Sequence, residues 1–300
     1  MPPRRPRSLR IQSVLYGNAP EDLLRSAAAV SRSAALARAG TSLGGWSYSL
    51  GDCGTVPALG GEHLERIEQI VTAADGAFSY RHFGANLGHG GGHNELADGA
   101  TEDLVLLLNP DGILDPSALA ALLEAVTDNV GAADARQLPI EHPKDYDSST
   151  GDTSWASGAC LITPRTVFEE LGGIDHTTFF LYGDDVDYSW RARLLGLQVI
   201  HVPEARMFHD KRLTTSGDSV VAESDHVYSS QASLLLAHKY SRPDVLRSLR
   251  TSFLKGDNPY AHAAVADFDA RQAEGRLVAP IDVDHAVGQF INGNYARHRY

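Results

Sequence analysis

Residues 104–111 read Leu-Val-Leu-Leu-Leu-Asn-Pro-Asp, and this stretch decides the fold class. Five apolar residues without polar alternation predict a strand that is buried on both faces, as in the middle of an α/β sheet. Pro110 cannot donate a backbone hydrogen bond, so the strand ends there and leaves Asn109 and Asp111 at its carboxyl end. Open α/β sheets bind ligands at that edge, which makes Asp111 a candidate metal ligand.

The same region also allows a purely structural interpretation. Asp111 and Gly112 are typical turn residues, and Asp115 is placed to cap a helix over residues 116–128. Taken alone, the stretch does not decide between a turn and a ligand site. The acidic residues and the histidine further along the chain favour the ligand site.

Length and composition indicate an ordinary globular protein. Of the 300 residues, 43% are hydrophobic and 21% are charged, which is sufficient for a sizeable core. No apolar run reaches the roughly 18 residues that span a bilayer, and the N-terminus lacks the apolar segment of a signal peptide. Two cysteines, Cys53 and Cys160, are too few for a disulfide framework or a thiolate metal site. We therefore expect a cytoplasmic protein.

The formal charge of −12 is concentrated in the first two thirds of the chain. Residues 1–210 carry 15 Lys and Arg against 28 Asp and Glu, whereas residues 211–300 carry 11 against 10. Nucleic acid is excluded as a partner because no basic stripe is present to displace its counterions. An anionic substrate would need a bridging cation at so acidic a site, and a divalent metal is the simplest choice.

The order of predicted elements indicates an α/β fold with a mainly parallel, Rossmann-like central sheet flanked by helices. Strands are predicted at residues 9–16, 46–50, 78–82, 104–108, 155–163 and 198–202, and helices at 21–39, 62–73, 116–128 and from Pro164 onward.

Three further regions complete the predicted organisation. Residues 1–8 are rich in Pro and Arg and are expected to be disordered, so the α/β domain occupies residues 9–221. Residues 139–153 predict an exposed loop that either closes over a substrate or is a passive insertion. Residues 222–300 predict a helical extension with two amphipathic helices, which favour a packing or homodimer surface over a membrane anchor.

Residues 86–94 contain four glycines over five positions. Such a segment lets backbone approach a ligand closely, and a helix that begins near Gly91 would direct its free amides at a diphosphate. The alternative is a turn without a ligand. His89 and His93 are not favoured as a metal pair, because no carboxylate is near them in sequence.

A second acidic cluster follows the aromatic run at residues 179–182. Asp184, Asp185 and Asp187 lie in the first turn of a predicted helix, where the helix dipole favours negative charge. Asp187 is four residues before Arg191 and is expected to pair with it, which leaves Asp184 or Asp185 for chemistry. Helix capping would account for Asp184 alone.

Four segments carry a family resemblance, and they occur in the family's order: Asn86-Leu87-Gly88 to Asn94, Leu108-Asn109-Pro110-Asp111, Gly172-Gly173-Ile174-Asp175 with the acidic cluster, and Val202-Pro203-Glu204-Ala205 to His209. Together they resemble family-two inverting glycosyltransferases of the GT-A fold, in the rhamnosyltransferase- and galactofuranosyltransferase-like branch. The resemblance covers roughly residues 9–212.

The resemblance implies a nucleotide-sugar donor, a dTDP- or UDP-sugar, and a divalent metal, Mg²⁺ or Mn²⁺. Asp111 and His209 would hold the metal, and Asn109, which replaces the first acid of the family's Asp-x-Asp motif, would contact the nucleoside or ribose. Asp185 matches the general base. The other residues implied at the nucleotide sugar are Tyr16, Asn18, Asp52, Asn86, Gly88 and Asn94, although Gly51-Asp52-Cys53-Gly54 departs from the customary Asp-Asn-x-Ser.

The acceptor is expected to contact Trp155, Ser157 and Asp184, since an aromatic face suits a sugar ring. Trp155 is equally compatible with core packing. The acceptor is expected to be a glycan, a lipid-linked sugar or a small molecule. Because family members often use polyprenyl-linked acceptors, peripheral contact with the inner face of the membrane also stays open.

The predicted function is metal-dependent, inverting sugar transfer in the synthesis of a cell-surface polysaccharide or glycoconjugate. One alternative is a nucleotidyltransferase of similar fold, which would normally show a basic Gly-rich signature near the first strand. That signature is absent from this sequence. The other alternative is a non-catalytic nucleotide- or glycan-binding protein.

Overall fold

The computed structural model describes residues 5–40, 42–141, 144–209 and 223–295. Within these ranges the strands are β1 (Arg7–Leu15), β2 (Leu43–Asp52), β3 (Ala77–His82), β4 (Leu104–Leu108), β5 (Gly112–Leu114), β6 (Val130–Leu138), β7 (Cys160–Pro164) and β8 (Gln198–His209). The helices are α1 (Pro20–Ala39), α2 (Gly61–Thr72), α3 (Gly88–Ala97), α4 (Ala118–Ala125), α5 (Arg165–Glu170), α6 (Asp184–Leu194), α7 (Glu223–Lys239), α8 (Pro243–Lys255) and α9 (Pro259–Ala273).

The strands form one mixed sheet in the order β3-β2-β1-β4-β7-β6-β8-β5. The first four are parallel, β7 runs antiparallel between β4 and β6, and β5 is antiparallel to β8. All five residues of β4 are buried, which confirms the predicted central strand. The α/β class and the mainly parallel sheet are also confirmed, because only β7 and β5 of these strands run against their neighbours.

Strands β5 and β6 were not predicted from the sequence. β6 consists largely of small and polar residues, which give little strand signal. Its Asp134 is nevertheless buried, and it forms ion pairs with Lys144 and with His201, whose Nδ1 lies 2.9 Å from Oδ1. Burial acts to raise the pKa of Asp134, but the charge of Lys144 and the contact with His201 outweigh it and lower the pKa. The strand is therefore stabilised by contacts that are distant in sequence.

Several strand ends differ from the prediction: β7 begins at Cys160 and not at Trp155, and β2 extends over Leu43–Asp52. β1 begins at Arg7, so the prediction of a disordered segment over residues 1–8 is wrong at Arg7 and Ser8, while residues 1–4 lie outside the described ranges. The Ser8 amide donates to the Asp103 carboxylate at 2.8 Å, which anchors this strand end. β8 continues through Pro203 to His209 instead of ending at Val202.

Helix α4 is shorter than the predicted helix over residues 116–128. Asp115 precedes it and accepts hydrogen bonds from the amide and the hydroxyl of Ser117, at 2.9 and 2.6 Å. The residue at the N-cap of α4 is Ser117, so the prediction that Asp115 caps this helix is wrong; Asp115 instead holds the turn that leads into it.

The C-terminal extension forms three helices rather than the predicted two, because α9 was not recognised. It packs on α6 and on the aromatic run before it, and the shared apolar cluster buries Trp155, Phe179, Trp190, Leu236, Tyr240 and Phe268. Among the described residues, none of the helices is both long and apolar enough to span a bilayer.

A buried polar contact joins the extension to α6. Lys239 places its Nζ 2.6 Å from Oδ1 of Asp187 and 2.7 Å from Oδ2 of Asp175. Tyr240 donates to the same Asp187 oxygen at 3.0 Å, and Arg191 pairs with the other Asp187 oxygen at 2.7 Å, as predicted. Asp187 is completely buried, so all three donors are needed to compensate its charge.

We predict that Lys239→Met lowers the free energy of unfolding by about 3 kcal/mol or more, because it leaves buried carboxylates without one of their cations. Urea denaturation followed by circular dichroism measures the change. Lys255→Met is the matched control, since Lys255 is exposed at the end of α8, and its effect should stay below about 0.5 kcal/mol. Equal losses in the two variants would contradict the prediction.

Candidate active site

Asp111 and His209 meet at the carboxyl end of β4. Oδ2 of Asp111 lies 3.5 Å from Nε2 of His209. Strand β5 brings them together, because Gly112, the residue after Asp111, pairs with His209 across β5 and β8. The predicted convergence of these two side chains is confirmed, although the strand responsible for it was not predicted.

The donor set fits a divalent cation. A carboxylate oxygen and an imidazole nitrogen, both partly accessible to solvent, face the same space, and such oxygen and nitrogen ligands suit Mn²⁺ or Mg²⁺. The described residues contain no cluster of three or more His, Cys, Asp or Glu that could hold a metal by themselves. Asp111 and His209 would therefore leave most coordination positions to phosphate oxygens and water.

The acidic cluster begins α6, and its position depends on an unusual backbone. Tyr182 and Gly183 both have positive φ, 65° and 73°, so the chain turns sharply before Asp184. A Cβ on Gly183 would lie 2.9 Å from the Ala232 side chain of α7, so glycine is required by both conformation and packing. Helix α7 thereby fixes where the acidic turn lies.

Asp185 is held by two backbone amides. Its Oδ2 accepts from Gly158 at 3.0 Å and its Oδ1 from Val186 at 2.8 Å, and the side chain is half-buried. These contacts hold the carboxylate in one orientation at the start of the helix.

Residues 157–159, hereafter the 157–159 strip, connect the two acidic parts of the site. Gly158 donates to Asp185, and the next residue, Ala159, accepts from the Asn109 amide at 2.9 Å. Asn109 is two residues before Asp111, so Asp111, Asp185 and His209 lie at the same end of the sheet. The three side chains thus share one end of the sheet, as the functional prediction requires, and their convergence on a single cleft stays a prediction.

Asp184 forms a pair that the sequence did not predict. Its Oδ2 lies 2.7 Å from Nδ1 of His89, and both side chains are largely buried. Burial alone would lower the pKa of His89, but the carboxylates of Asp184 and Asp185 outweigh it and raise the pKa above the usual 6.5. His93 packs edge-on against His89 at 4.6 Å, and burial, followed by the charge of His89, lowers its pKa well below 6.5.

The glycine-rich segment is explained by packing. Helix α3 begins at Gly88 rather than near Gly91, and its glycines are buried. A Cβ on Gly88 would lie 2.5 Å from the Phe180 carbonyl oxygen, and one on Gly92 would lie 2.7 Å from Val14. The glycines therefore let α3 approach β1 and the segment before α6, and their predicted approach to a diphosphate is not needed to explain them.

Asn86 and Asn94 both bond to protein groups in this structure. The Asn86 side chain accepts from the Gly88 amide at 3.1 Å. The Asn94 side chain accepts from the Ile174 amide and donates to the Ile174 carbonyl oxygen, both at 2.8 Å, and so holds the segment before α6. Donor contacts by these side chains stay predictions.

The residues implied at the nucleotide base divide into two groups. Tyr16 follows β1 and is 63% exposed, and Asn18 is partly exposed, so both residues are accessible to a ligand. The Tyr16 amide donates to the Asn18 side chain at 2.9 Å. Asp52 is fully buried at the end of β2, where its carboxylate accepts from the Gly54 and Ala58 amides and from the Tyr80 hydroxyl. Asp52 thus shapes the loop after β2, and contact between its side chain and a base stays a prediction.

Trp155 and Ser157 are both buried. The Trp155 ring packs against Tyr295 at 6.0 Å, and Lys144 Nζ lies 4.2 Å from its centroid. The structure therefore shows the core-packing alternative for Trp155. The Ser157 amide donates to Asp134 at 2.6 Å, and its hydroxyl accepts from Gln137. Acceptor contacts by Trp155, Ser157 and Asp184 stay predictions.

Sequence reasoning missed the residues that hold this site together. Asp134 and Gln137 belong to the unrecognised strand β6, and Gly158 has no motif around it that marks it as functional. Lys144 lies in the predicted loop over residues 139–153, yet its side chain is buried against Asp134. The exposed-loop prediction holds for most of residues 145–150, but Lys144 fastens the loop to the sheet.

The fold is shared with solved sugar-transferring enzymes. A mannosyltransferase, PcManGT from Pyrobaculum calidifontis in complex with GDP-Man and Mn²⁺, aligns with 91% of this chain and 82% of its own, at 15% identity and a TM-score of 0.52. GalNAc-T7 with UDP, GalNAc and Mn²⁺ aligns with 91% of this chain and 56% of its own, at 12% identity and a TM-score of 0.60. At these identities the similarity concerns the fold, which is GT-A.

Residues 62–187 match the family model Glycosyl transferase family 2. An N-acetylglucosaminyl-diphospho-decaprenol L-rhamnosyltransferase of Mycobacterium tuberculosis is 28% identical over 53% of this chain and 66% of its own length. The O-antigen biosynthesis protein RfbC of Myxococcus xanthus is 28% identical over 47% of this chain and 13% of its own length. The matched regions thus span less than two thirds of these relatives.

We predict a pH-dependent contribution of His89 to stability. Because the folded state raises its pKa, protonation of His89 stabilises the fold fully below pH 6.5 and ceases to do so as the pH rises through the raised pKa. The difference in unfolding free energy between wild type and His89→Gln should therefore shrink as the pH rises above 6.5 and through the raised pKa. Urea titrations at several pH values measure it. A difference that grows with pH would contradict the assignment, and His285→Gln, at an exposed position, is the control.

Proposed function

We propose that this protein is a metal-dependent, inverting glycosyltransferase that moves a sugar from a nucleoside-diphosphate donor to an acceptor hydroxyl. The observation that carries the proposal is the joint placement of Asp111, His209 and Asp185 at the carboxyl end of β4, connected by the 157–159 strip. The match to the family 2 model and the GT-A fold support it.

Inversion requires the acceptor oxygen to attack the anomeric carbon on the face opposite the leaving diphosphate. The new bond joins the acceptor oxygen to the anomeric carbon, the bond to the diphosphate oxygen breaks, and a nucleoside diphosphate departs. A carboxylate must take the hydroxyl proton as the oxygen attacks. Asp185 is the proposed base, because it is half-buried and fixed by Gly158 and Val186.

The donor is proposed to bind over the ends of β1 and β4. Asp111 and His209 would hold the metal, and Mg²⁺ or Mn²⁺ bound there supplies positive charge that stabilises the departing diphosphate. Asn109 is proposed to contact the nucleoside or ribose, and the accessible Tyr16 and Asn18 to contact the base. Fixing donor and acceptor in one orientation contributes further to the rate.

The names of the relatives suggest which sugar and which acceptor to propose. The M. tuberculosis relative is by its name a rhamnosyltransferase that acts on a decaprenol-linked acceptor, and the M. xanthus relative belongs to O-antigen biosynthesis. We therefore propose transfer of rhamnose or a related sugar from a dTDP- or UDP-sugar in cell-surface polysaccharide synthesis. A lipid-linked acceptor is the first to test, with glycan and small-molecule acceptors beside it.

We predict that Asp185→Asn lowers kcat about 10²–10⁴-fold while nucleotide affinity changes little, because the substitution removes the base and keeps the side-chain shape. Turnover of a panel of dTDP- and UDP-sugars with Mn²⁺ and a lipid-linked acceptor, followed as nucleotide release, measures it. Asp128→Asn, at an exposed carboxylate before β6, is the matched control and should retain full activity.

The products separate the alternatives. A nucleoside diphosphate supports sugar transfer, whereas pyrophosphate would indicate a nucleotidyltransferase. Metal-dependent nucleotide binding without turnover across the panel would indicate a binding protein. Equal nucleotide release by wild type and Asp185→Asn would remove Asp185 as the base.

We predict that Asp111→Asn weakens Mn²⁺-dependent binding of a nucleoside diphosphate by at least about tenfold, because a neutral amide is a poorer metal ligand than a carboxylate. Isothermal titration with UDP or dTDP, with Mn²⁺ and with EDTA, measures the effect. Affinity without metal should be alike in the variant and in wild type. If the variant keeps its Mn²⁺ dependence, Asp111 is not a ligand.

A further inference from the structure

We propose that Gln137 is a positioning residue that sets which nitrogen of His209 carries the proton and couples that ring to the 157–159 strip. The inference rests on the proposed function, because it concerns the imidazole expected to bind the metal. Nothing in the sequence pattern indicated this residue, which lies near the end of β6.

Gln137 lies between His209 and Ser157 and is 1% exposed. Its Oε1 is 2.8 Å from Nδ1 of His209, and its Nε2 donates to the Ser157 hydroxyl at 2.9 Å. A buried amide that has both ends bonded has little freedom to rotate. In the orientation that the structure shows, the carbonyl oxygen of this amide faces the His209 ring and its nitrogen faces Ser157.

The amide direction determines the protonation pattern of the ring. An oxygen facing Nδ1 can only accept, so the single N–H of the neutral imidazole lies on Nδ1 and the lone pair lies on Nε2. The far side of the ring agrees with this assignment, because the Asn109 side-chain nitrogen lies 3.2 Å from Nε2 and can donate to it. The lone pair is thus directed toward the space beside Asp111, where a metal needs it.

The same amide reaches the proposed base through two neighbouring residues. Ser157, which accepts from Gln137, is followed by Gly158, whose amide donates to Asp185. The Ser157 amide is held in turn by buried Asp134. Gln137 therefore ties the metal-binding ring to the backbone that orients Asp185, so the two halves of the site share one anchor.

Three substitutions separate these contacts. Gln137→Met removes both hydrogen bonds and keeps a side chain of similar length. Gln137→Glu keeps an oxygen that accepts from His209 Nδ1 and lets the Ser157 hydroxyl donate instead. Ser157→Ala removes the contact to the strip and leaves the His209 contact in place.

The first measurement is the ¹⁵N NMR of the His209 ring in metal-free protein. The chain has 13 histidines, so the His209 signals are assigned by their loss in His209→Gln. We expect the neutral ring to carry its proton on Nδ1 in wild type, Gln137→Glu and Ser157→Ala, and to exchange between both nitrogens in Gln137→Met. A proton on Nε2 in wild type would overturn the inference, and this result does not depend on the folding of any variant at position 137.

The second measurement is Mn²⁺ affinity in the presence of UDP, followed by electron paramagnetic resonance of free Mn²⁺. Gln137→Met should weaken binding about 10–100-fold, the loss typical of outer partners of a ligand, whereas Gln137→Glu and Ser157→Ala should stay within about threefold of wild type. If wild type binds Mn²⁺ and Gln137→Met binds it equally well, the inference is overturned while the proposed function stands. If wild type and His209→Gln bind Mn²⁺ equally, the proposed metal site fails, and the NMR result still decides the role of Gln137.

Discussion

The hydrogen bond from the Gly158 amide to Asp185 is the contact on which the arrangement of the site depends. Gly158 belongs to the 157–159 strip, which also accepts a hydrogen bond from the Asn109 amide. Asp134 and Gln137 bind the Ser157 end of the strip. The segment that follows β4 supplies Asn109 and Asp111, helix α6 supplies Asp185, and β8 supplies His209. These three elements are far apart in sequence, and the strip is where their positions are fixed relative to one another.

Much of the first half of the fold was predictable because its signals are local. The apolar run of β4 and the alternation of strands and helices before it depend on residues close together in the chain, and the structure agrees with them within a few residues. The acidic start of α6 and the position of Asp111 at the carboxyl end of β4 were also predictable. Each follows from the chemistry of residue types at an element boundary.

The remainder depended on contacts between distant residues. β6 was missed because its residues are mostly small and polar. Its buried Asp134 is compensated by Lys144 and His201, and no pattern within the strand reveals those partners. His89 was not favoured as a ligand because no carboxylate is near it in sequence, yet Asp184, which is 95 positions further along the chain, lies beside it. The glycines of α3 suggested a phosphate loop, and only the packing of β1 and Phe180 shows why side chains are excluded there.

The contact between Gly183 and α7 has a consequence for how this protein can vary. Because Ala232 fills the space beside Gly183, and Lys239 and Tyr240 compensate Asp187, the C-terminal helices form part of the wall that shapes the acidic turn. A chain ended after residue 221 would lose that wall and open an apolar surface around Trp190. The extension and the α/β domain are therefore expected to be inherited as one unit. Exchange of the extension between relatives should succeed only when its first helix keeps a small residue opposite that glycine.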